Sequence, residues 1–153
     1  ALLEHVQRLH CTSHGKDAIV AIECASDLPT VHAVHNHLVQ ALRNLLRNAH
    51  QAVAACEPHR QRIVLRAQRL GADAIAIDVV DQGPGVPREL AASVFEPFVS
   101  TKERGTGLGL PLASRVLSFL GGELTLCNPG ERGARFCVRL PIAQLARSAE
   151  ASA

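Results

Sequence analysis

The chain of 153 residues has no methionine, tryptophan or tyrosine, and its aromatic content is four phenylalanines. Any core it forms is therefore aliphatic. With 47% hydrophobic residues, a chain of this length can fold as one domain and bury roughly 70% of its unfolded surface without disulfides. The cysteines at 11, 24, 56, 127 and 137 are odd in number and contain no C-x-x-C pair. That excludes a zinc ribbon or disulfide framework. Cys11, Cys24, Cys56, Cys127 and Cys137 are instead read as reduced thiols, most of them acting as small hydrophobes in apolar runs. No apolar run approaches the roughly 18 residues of a membrane span, and no signal peptide precedes the first helix. Sixteen basic residues against fourteen acidic ones give a net charge of only +2, which excludes the concentrated basic face of a nucleic-acid binder. Lacking even a first methionine, the chain is expected to be a piece of a longer protein.

Periodicity predicts the elements. Apolar residues at 2, 3, 6 and 9 have helical spacing, and the Val- and Ile-rich run over 18–25 reads as a strand. The longest regular stretch runs from about His35 to Cys56. Leu38, Leu42, Leu45, Leu46, Ala49 and Val53 mark its buried face, and Pro58 stops it. Strands are expected at 62–68 and 74–80, joined by a hairpin turn at Leu70-Gly71-Ala72-Asp73. A glycine- and proline-rich region over 81–105 precedes a helix from Leu108 to about Leu120, stopped by Gly121-Gly122. Strands at 123–127 and 134–140 follow, and the tail after Pro141 reads as a frayed helix. This order predicts an α+β two-layer sandwich, a mixed and mainly antiparallel sheet with helices on one face.

Four local features carry chemistry, and each alone is also compatible with an ordinary surface. Asn44 and Asn48 stand four apart, on one helix face, at the edge of a core turned by Leu45 and Leu46. A neutral amide oxygen suits Mg²⁺, which keeps waters and shares phosphate oxygens with a nucleotide. Asp81 follows an apolar strand directly and opens Asp81-Gln82-Gly83-Pro84-Gly85. A strand-end carboxylate can accept from an exocyclic amine such as that of adenine, and the glycines let a flat ring approach the backbone. The segment Val94-Phe95-Glu96-Pro97-Phe98-Val99-Ser100-Thr101-Lys102 has no strand or helix pattern. Its two phenylalanines read as anchors of a loop, with Lys102 a mobile cation beyond them. Gly105-Thr106-Gly107-Leu108-Gly109-Leu110 opens the last helix, where free backbone N–H groups and the helix dipole favour an anion. It is neither a P-loop nor the dinucleotide fingerprint, since Leu110 takes the place of the last glycine in G-x-G-x-x-G.

In this order, within residues 44–110, the four features resemble the N, G1, F and G2 boxes of the GHKL superfamily (gyrase, Hsp90, MutL, histidine kinases). Residues 48–52, 95–102 and 105–110 most resemble histidine kinases of the nitrogen-regulatory sensor type. Asn44 separates the chain from gyrase, Hsp90 and MutL-like hydrolases, which place a catalytic Glu there. The resemblance covers about residues 30–140 and implies a catalytic ATP-binding domain at 15–141. It implies a connector helix at 1–14 from a dimerisation and phosphoacceptor domain, and a tail at 142–153. It further implies ATP and Mg²⁺ as cofactors, with Asn48 the Mg²⁺ ligand and Asn44 beside the phosphates. Asp81 holds the adenine amine in a pocket shaped by Gly83 and Gly85. Lys102 touches phosphate from the lid, and Gly105, Thr106, Gly107, Leu108 and Gly109 wrap the phosphate chain. Asn44 and Lys102 are the residues nearest the chemistry.

The implied partners are the helical phosphoacceptor domain and a response regulator. Neither nucleic acid nor a membrane contact of this stretch is expected, and the implied location is cytoplasmic, with a parent of a type found anchored in the inner membrane. Gln51 and Ala52 depart from the Lys and Tyr of many relatives, and Lys102 or Arg104 is expected to supply the lost cation. Ala134 stands where a Thr is usual, and only six residues separate Phe98 from Gly105. In the family the acceptor is a histidine followed by an acidic residue, and none of the eight histidines here is followed by Asp or Glu. A regulatory nucleotide-binding module without phosphotransfer is the alternative. His32, His35 and His37 are read as polar residues at a helix entry rather than a metal site.

Overall fold

The computed structural model of the chain describes residues 2–5, 7–8, 19–29, 35–100 and 106–142. Five strands form one sheet, β1 (Ile19–Cys24), β2 (Arg62–Leu70), β3 (Ala74–Asp81), β4 (Glu123–Leu126) and β5 (Arg135–Pro141), in the order β1-β2-β3-β5-β4. β1 pairs with β2 in parallel, and the remaining pairs are antiparallel. A parallel pair needs a crossover, and the helix α1 (His35–Val53) supplies it. A second helix, α2 (Gly109–Phe119), lies against α1 and β4.

Register explains why one face holds all the packing. Leu65, Val79 and Phe136 stand in one row across β2, β3 and β5, and Ala67, Ile77, Val138 and Leu124 in the next. All of these are buried, and they meet Leu38, Leu42, Leu45, Leu46, Ala49 and Val53 of α1. The expected helical face is therefore the observed one. At about 1.5–3 kcal/mol for each large aliphatic side chain taken from water, this contact outweighs any local propensity in α1. The helix ends at Val53, three residues before the expected Cys56. The amide of Cys56 instead bonds the carbonyl of Val53, at 2.9 Å, and Pro58 begins a short 3-10 turn.

The opposite sheet face carries Arg62, Arg66, Asp78, Arg135 and Cys137. Asp78 is 1% exposed and its Oδ2 accepts from Arg135 Nη2 at 2.8 Å. The Cys137 thiol beside it is pushed up to about 12, first by burial and then by this carboxylate. The cysteines differ from expectation: Cys24 and Cys127 are exposed, Cys56 and Cys137 half-buried, and these four are free. Cys24 and Cys127 face solvent, which the apolar character of their runs conceals, while Cys11 lies outside the described residues. Residues 2–5 and 7–8 are helical. Leu3 there is buried, and Gln7 Nε2 donates to the carbonyl of Val20 at 2.6 Å. Among the described residues no helix is long and apolar enough to cross a membrane.

Candidate functional site

A cavity of about 390 Å³ opens between α1, the end of β3 and the start of α2. Its size is that of a small-molecule site. The polar stripe of α1 lines one wall: Asn44, Arg47, Asn48 and Gln51, at i, i+3, i+4 and i+7, face the same way. Leu45, Leu46 and Ala49 between them are buried in the core, which fixes that orientation. Asn44 Nδ2 is buried without a hydrogen-bond partner among the described residues. A donor in that state costs stability unless a ligand supplies the acceptor.

Asp81 lines the far end. Strand parity puts it there: Ile75, Ile77 and Val79 point to the helices, so Asp81 does too, whereas Asp78 points to the other face. It is 4% exposed, and its Oδ1 accepts from Gly83 N at 2.8 Å and Ala134 N at 3.2 Å. These bonds fix the carboxylate's orientation toward the cavity. Gly83 is buried and makes the turn possible, since a Cβ there would come within 2.9 Å of the Ala52 Cβ. It supports the pocket from behind rather than lining it. Arg60 Nη2 donates to the carbonyls of Gln82 and Gly83 and ties the same loop down.

Gly85 does line the cavity, at φ +86°, and a Cβ on it would lie 2.0 Å from the Glu131 carbonyl oxygen. Both the left-handed backbone and the close approach forbid a side chain. Gly85→Ala is expected to cost about 2–3 kcal/mol and to lower Tm by roughly 5–10 °C in a thermal melt. An unchanged Tm would mean that the loop over 128–133 does not pack on this turn.

At the start of α2, Thr106, Gly107 and Gly109 line the cavity, as do Val99 and Ser100. Leu108 occupies the N-cap, where no side chain caps the first turn. Leu108 is 44% exposed and outside the lining, unlike Gly107 and Gly109 on either side of it. The two phenylalanines differ from expectation. Phe95 anchors, edge-to-face on Phe136 at 6.2 Å. Phe98 does not: it is 80% exposed, at φ +67°, and its backbone N–H instead bonds the Gly107 carbonyl at 3.0 Å. Gly107, at φ +65°, accommodates that contact, because a Cβ there would strike the Phe98 backbone at 2.7 Å. Lys102, Arg104 and Gly105 lie outside the described residues, as does His32. The His35 ring meets that of His5 tilted at 5.6 Å and the His37 ring meets Phe119 edge-to-face at 5.7 Å, and the described residues contain no His/Cys/Asp/Glu cluster able to hold a metal.

Arg47 and the β4–β5 loop are the residues that motif reasoning misses. Arg47 could have been found from its spacing to Asn44 and Gln51. The loop could not, since Gly133 bonds the Gly83 carbonyl at 2.9 Å and Gly130 the Val86 carbonyl at 2.7 Å only through the fold. Pro87, Leu90 and Val94 add an apolar wall.

Among the described residues, a five-stranded sheet carries α1 and α2 on one face, with the cavity between these helices and one strand end, which defines a two-layer α+β sandwich rather than a P-loop or dinucleotide fold. Residues 33–144 match the family described as histidine kinase-, DNA gyrase B- and HSP90-like ATPase, and the chain belongs to it. It is 39% identical over 106 residues to the nitrogen regulation protein NtrY of Azorhizobium caulinodans, covering 67% of this chain and 14% of that protein. With the sensory histidine kinase/phosphatase NtrB of Rhodobacter capsulatus it shares 32% identity over 151 residues, 93% of this chain and 42% of the relative. The chain thus spans less than half the length of these curated relatives. Among solved structures, full-length ShkA in complex with AMPPNP superposes with a TM-score of 0.76 at 31% identity, over 92% of this chain and 29% of that one. The catalytic domain of histidine kinase ThkA gives 0.76 at 27% identity, over 92% and 90%.

Proposed function

We propose that the chain is the catalytic domain of a sensor histidine kinase, which presents the γ-phosphate of Mg·ATP to a histidine on a separate helical domain for relay to a response regulator. The observation that carries this reading is the polarity of one cavity. A fixed carboxylate stands at one end, and a buried, unpartnered amide donor with an uncapped helix start at the other. An amine-bearing base with an anionic tail matches both ends, and membership of an ATPase family supports the same ligand.

Each residue has a part that its surroundings allow. Asp81 accepts from the adenine amine. Asn44 Nδ2 donates to a phosphate oxygen, which satisfies the orphaned group. The N–H groups at Gly107 and Gly109 face the phosphate chain. Asn48 offers an amide oxygen to Mg²⁺, and a site with so few protein ligands fits an ion that keeps waters and phosphate oxygens. Bound there, Mg²⁺ neutralises charge on the transferring group. The apolar wall of Leu90, Val94 and Val99 excludes water, which favours transfer to a histidine over hydrolysis. Lys102 and Gly105 complete the lid in this proposal.

The acceptor comes from outside, because phosphoryl transfer depends on positioning and charge rather than on a protein nucleophile in this domain. Phe98, Leu108 and Leu112 are exposed beside the helix-start end of the cavity and give a helical partner an apolar surface to dock on. Within the longer protein, residues 1–14 connect to that partner, 15–141 form the nucleotide domain and 142–153 are a tail. Incubation with labelled ATP tests this. The isolated chain should gain no acid-labile label, and a helical domain bearing a His-Glu or His-Asp pair, added in trans, should gain it. Label on the isolated chain, or none on any acceptor while ATP binds, overturns the kinase assignment.

A further inference from the structure

Gln51 stands where many relatives carry a lysine that reaches phosphate, and Lys102 or Arg104 is expected to replace that cation. The described residues contain another cation in the cavity wall. Arg47 lies one helical turn before Gln51 on the same face, about 6 Å along the axis at 1.5 Å per residue, and it lines the cavity. A Cβ built on Gly109 would sit 3.5 Å from Arg47 Nη2, so the guanidinium lies against the first turn of α2.

That position is electrostatically unfavourable as it stands. A helix start carries partial positive charge, and α2 has no acidic residue in its first turn and no side-chain cap. Among the described residues Arg47 makes no hydrogen bond or ion pair. Among the described residues Asp81 is the only carboxylate lining the cavity, and it stands at the opposite end. Five residues of α1, about 7 Å of rise, separate Arg47 from Ala52, which packs on Gly83 at the Asp81 end. Three groups therefore line one cavity: a guanidinium without a partner among the described residues, the uncapped helix start it lies against, and, one turn earlier on the same face of α1, the orphaned Nδ2 of Asn44. All are donors or positive, and an anion between them satisfies all three.

We infer that Arg47 is the cation that grips the phosphate tail of the nucleotide, in the role that the sequence assigned to Lys102 or Arg104. The inference rests on the nucleotide reading of the cavity and adds to it a residue that the four motifs omit. The planar guanidinium can bridge two phosphate oxygens, which a lysine at Gln51 could not do in the same way.

Calorimetric titration of the chain with ATP, ADP and AMP in Mg²⁺ tests it, with Arg47→Ala, Arg47→Lys and Lys102→Ala compared with wild type. Arg47→Ala should weaken ATP binding by about 10- to 100-fold and leave AMP within about twofold. Arg47→Lys should recover part of the loss. Arg47 is exposed and makes no hydrogen bond or ion pair among the described residues, so the variant is expected to fold, and its AMP affinity reports that directly. Retained ATP affinity in Arg47→Ala overturns the inference and leaves the nucleotide reading intact, as does an equal loss for AMP and ATP. A large ATP-selective loss in Lys102→Ala with none in Arg47→Ala returns the role to the lid. If wild type binds none of the three nucleotides, the reading of the cavity falls, and this inference with it.

Discussion

Replacing Asp81 by Asn is expected to lower the affinity for Mg·ATP by about 30- to 150-fold while the domain stays folded. Asparagine retains an oxygen where Oδ1 now receives the N–H groups of Gly83 and Ala134. Those two bonds persist, and the turn over 81–85 keeps its shape. The other half of the side chain changes from acceptor to donor and meets the adenine amine, itself a donor. Losing a charge-assisted bond in a nearly dry site costs about 2–3 kcal/mol, and 1.4 kcal/mol is about a factor of ten in affinity. Selectivity should shift as well. Guanine carries an oxygen where adenine carries its amine, so the preference for ATP over GTP should shrink sharply or reverse. Titration of both nucleotides, with a thermal melt as the folding control, reads this out. Unchanged ATP affinity in a folded Asp81→Asn domain would remove the carboxylate from the site.

Why Asp81 could be picked from the sequence and Phe98 could not has a physical explanation. A strand's side chains alternate, so the apolar residues 75, 77 and 79 assign Asp81 to the core side by counting alone. In α1 the same counting puts Asn44 and Asn48 on one edge of the buried face. Both inferences use periods that the backbone imposes everywhere. Phe98 has no such period. An aromatic in an irregular segment reads as an anchor, yet this one sits at φ +67° because its N–H is taken by Gly107, and that bond joins residues nine apart through tertiary structure. The parallel pairing of β1 with β2 is likewise set by where α1 crosses rather than by either strand's composition.

The limits of periodicity also explain Arg47 and Leu108. Helical spacing says which residues share a face but not how wide the cavity beside that face is. Arg47 reads as one more solvated arginine, and only the fold shows that, though exposed, it lies against the first turn of α2. Leu108 lies within a glycine-rich motif whose glycines line the cavity, yet as the N-cap of α2 it is exposed and outside the lining. Gly83 is expected to shape the pocket, yet it lies outside the lining, where its lack of a side chain lets Ala52 approach. In each instance motif membership located the segment, and packing decided what each residue in it does.

Asn48→Ala should abolish the Mg²⁺ dependence of ATP binding and lower phosphotransfer to an acceptor in trans by at least about 1000-fold. The argument separates it from Asn44, its neighbour one turn away. Asn44 has an amide nitrogen buried without a partner, and a donor in that position serves a phosphate oxygen, not a cation. In the proposed reading the metal is served by the amide oxygen of Asn48, which lines the same wall. Removing a ligand from a site that offers few others loses the ion outright, and positioning plus charge neutralisation account for most of the rate in phosphoryl transfer. Titrations with Mg²⁺ and with EDTA should therefore give the same ATP affinity in Asn48→Ala. In Asn44→Ala both affinities should fall together, and the ratio between them should survive. Asn48→Asp keeps an oxygen in place and should retain Mg²⁺-dependent binding. If Asn44→Ala is the variant that loses the Mg²⁺ response, the two asparagines have exchanged roles, and the orphaned donor needs a different ligand.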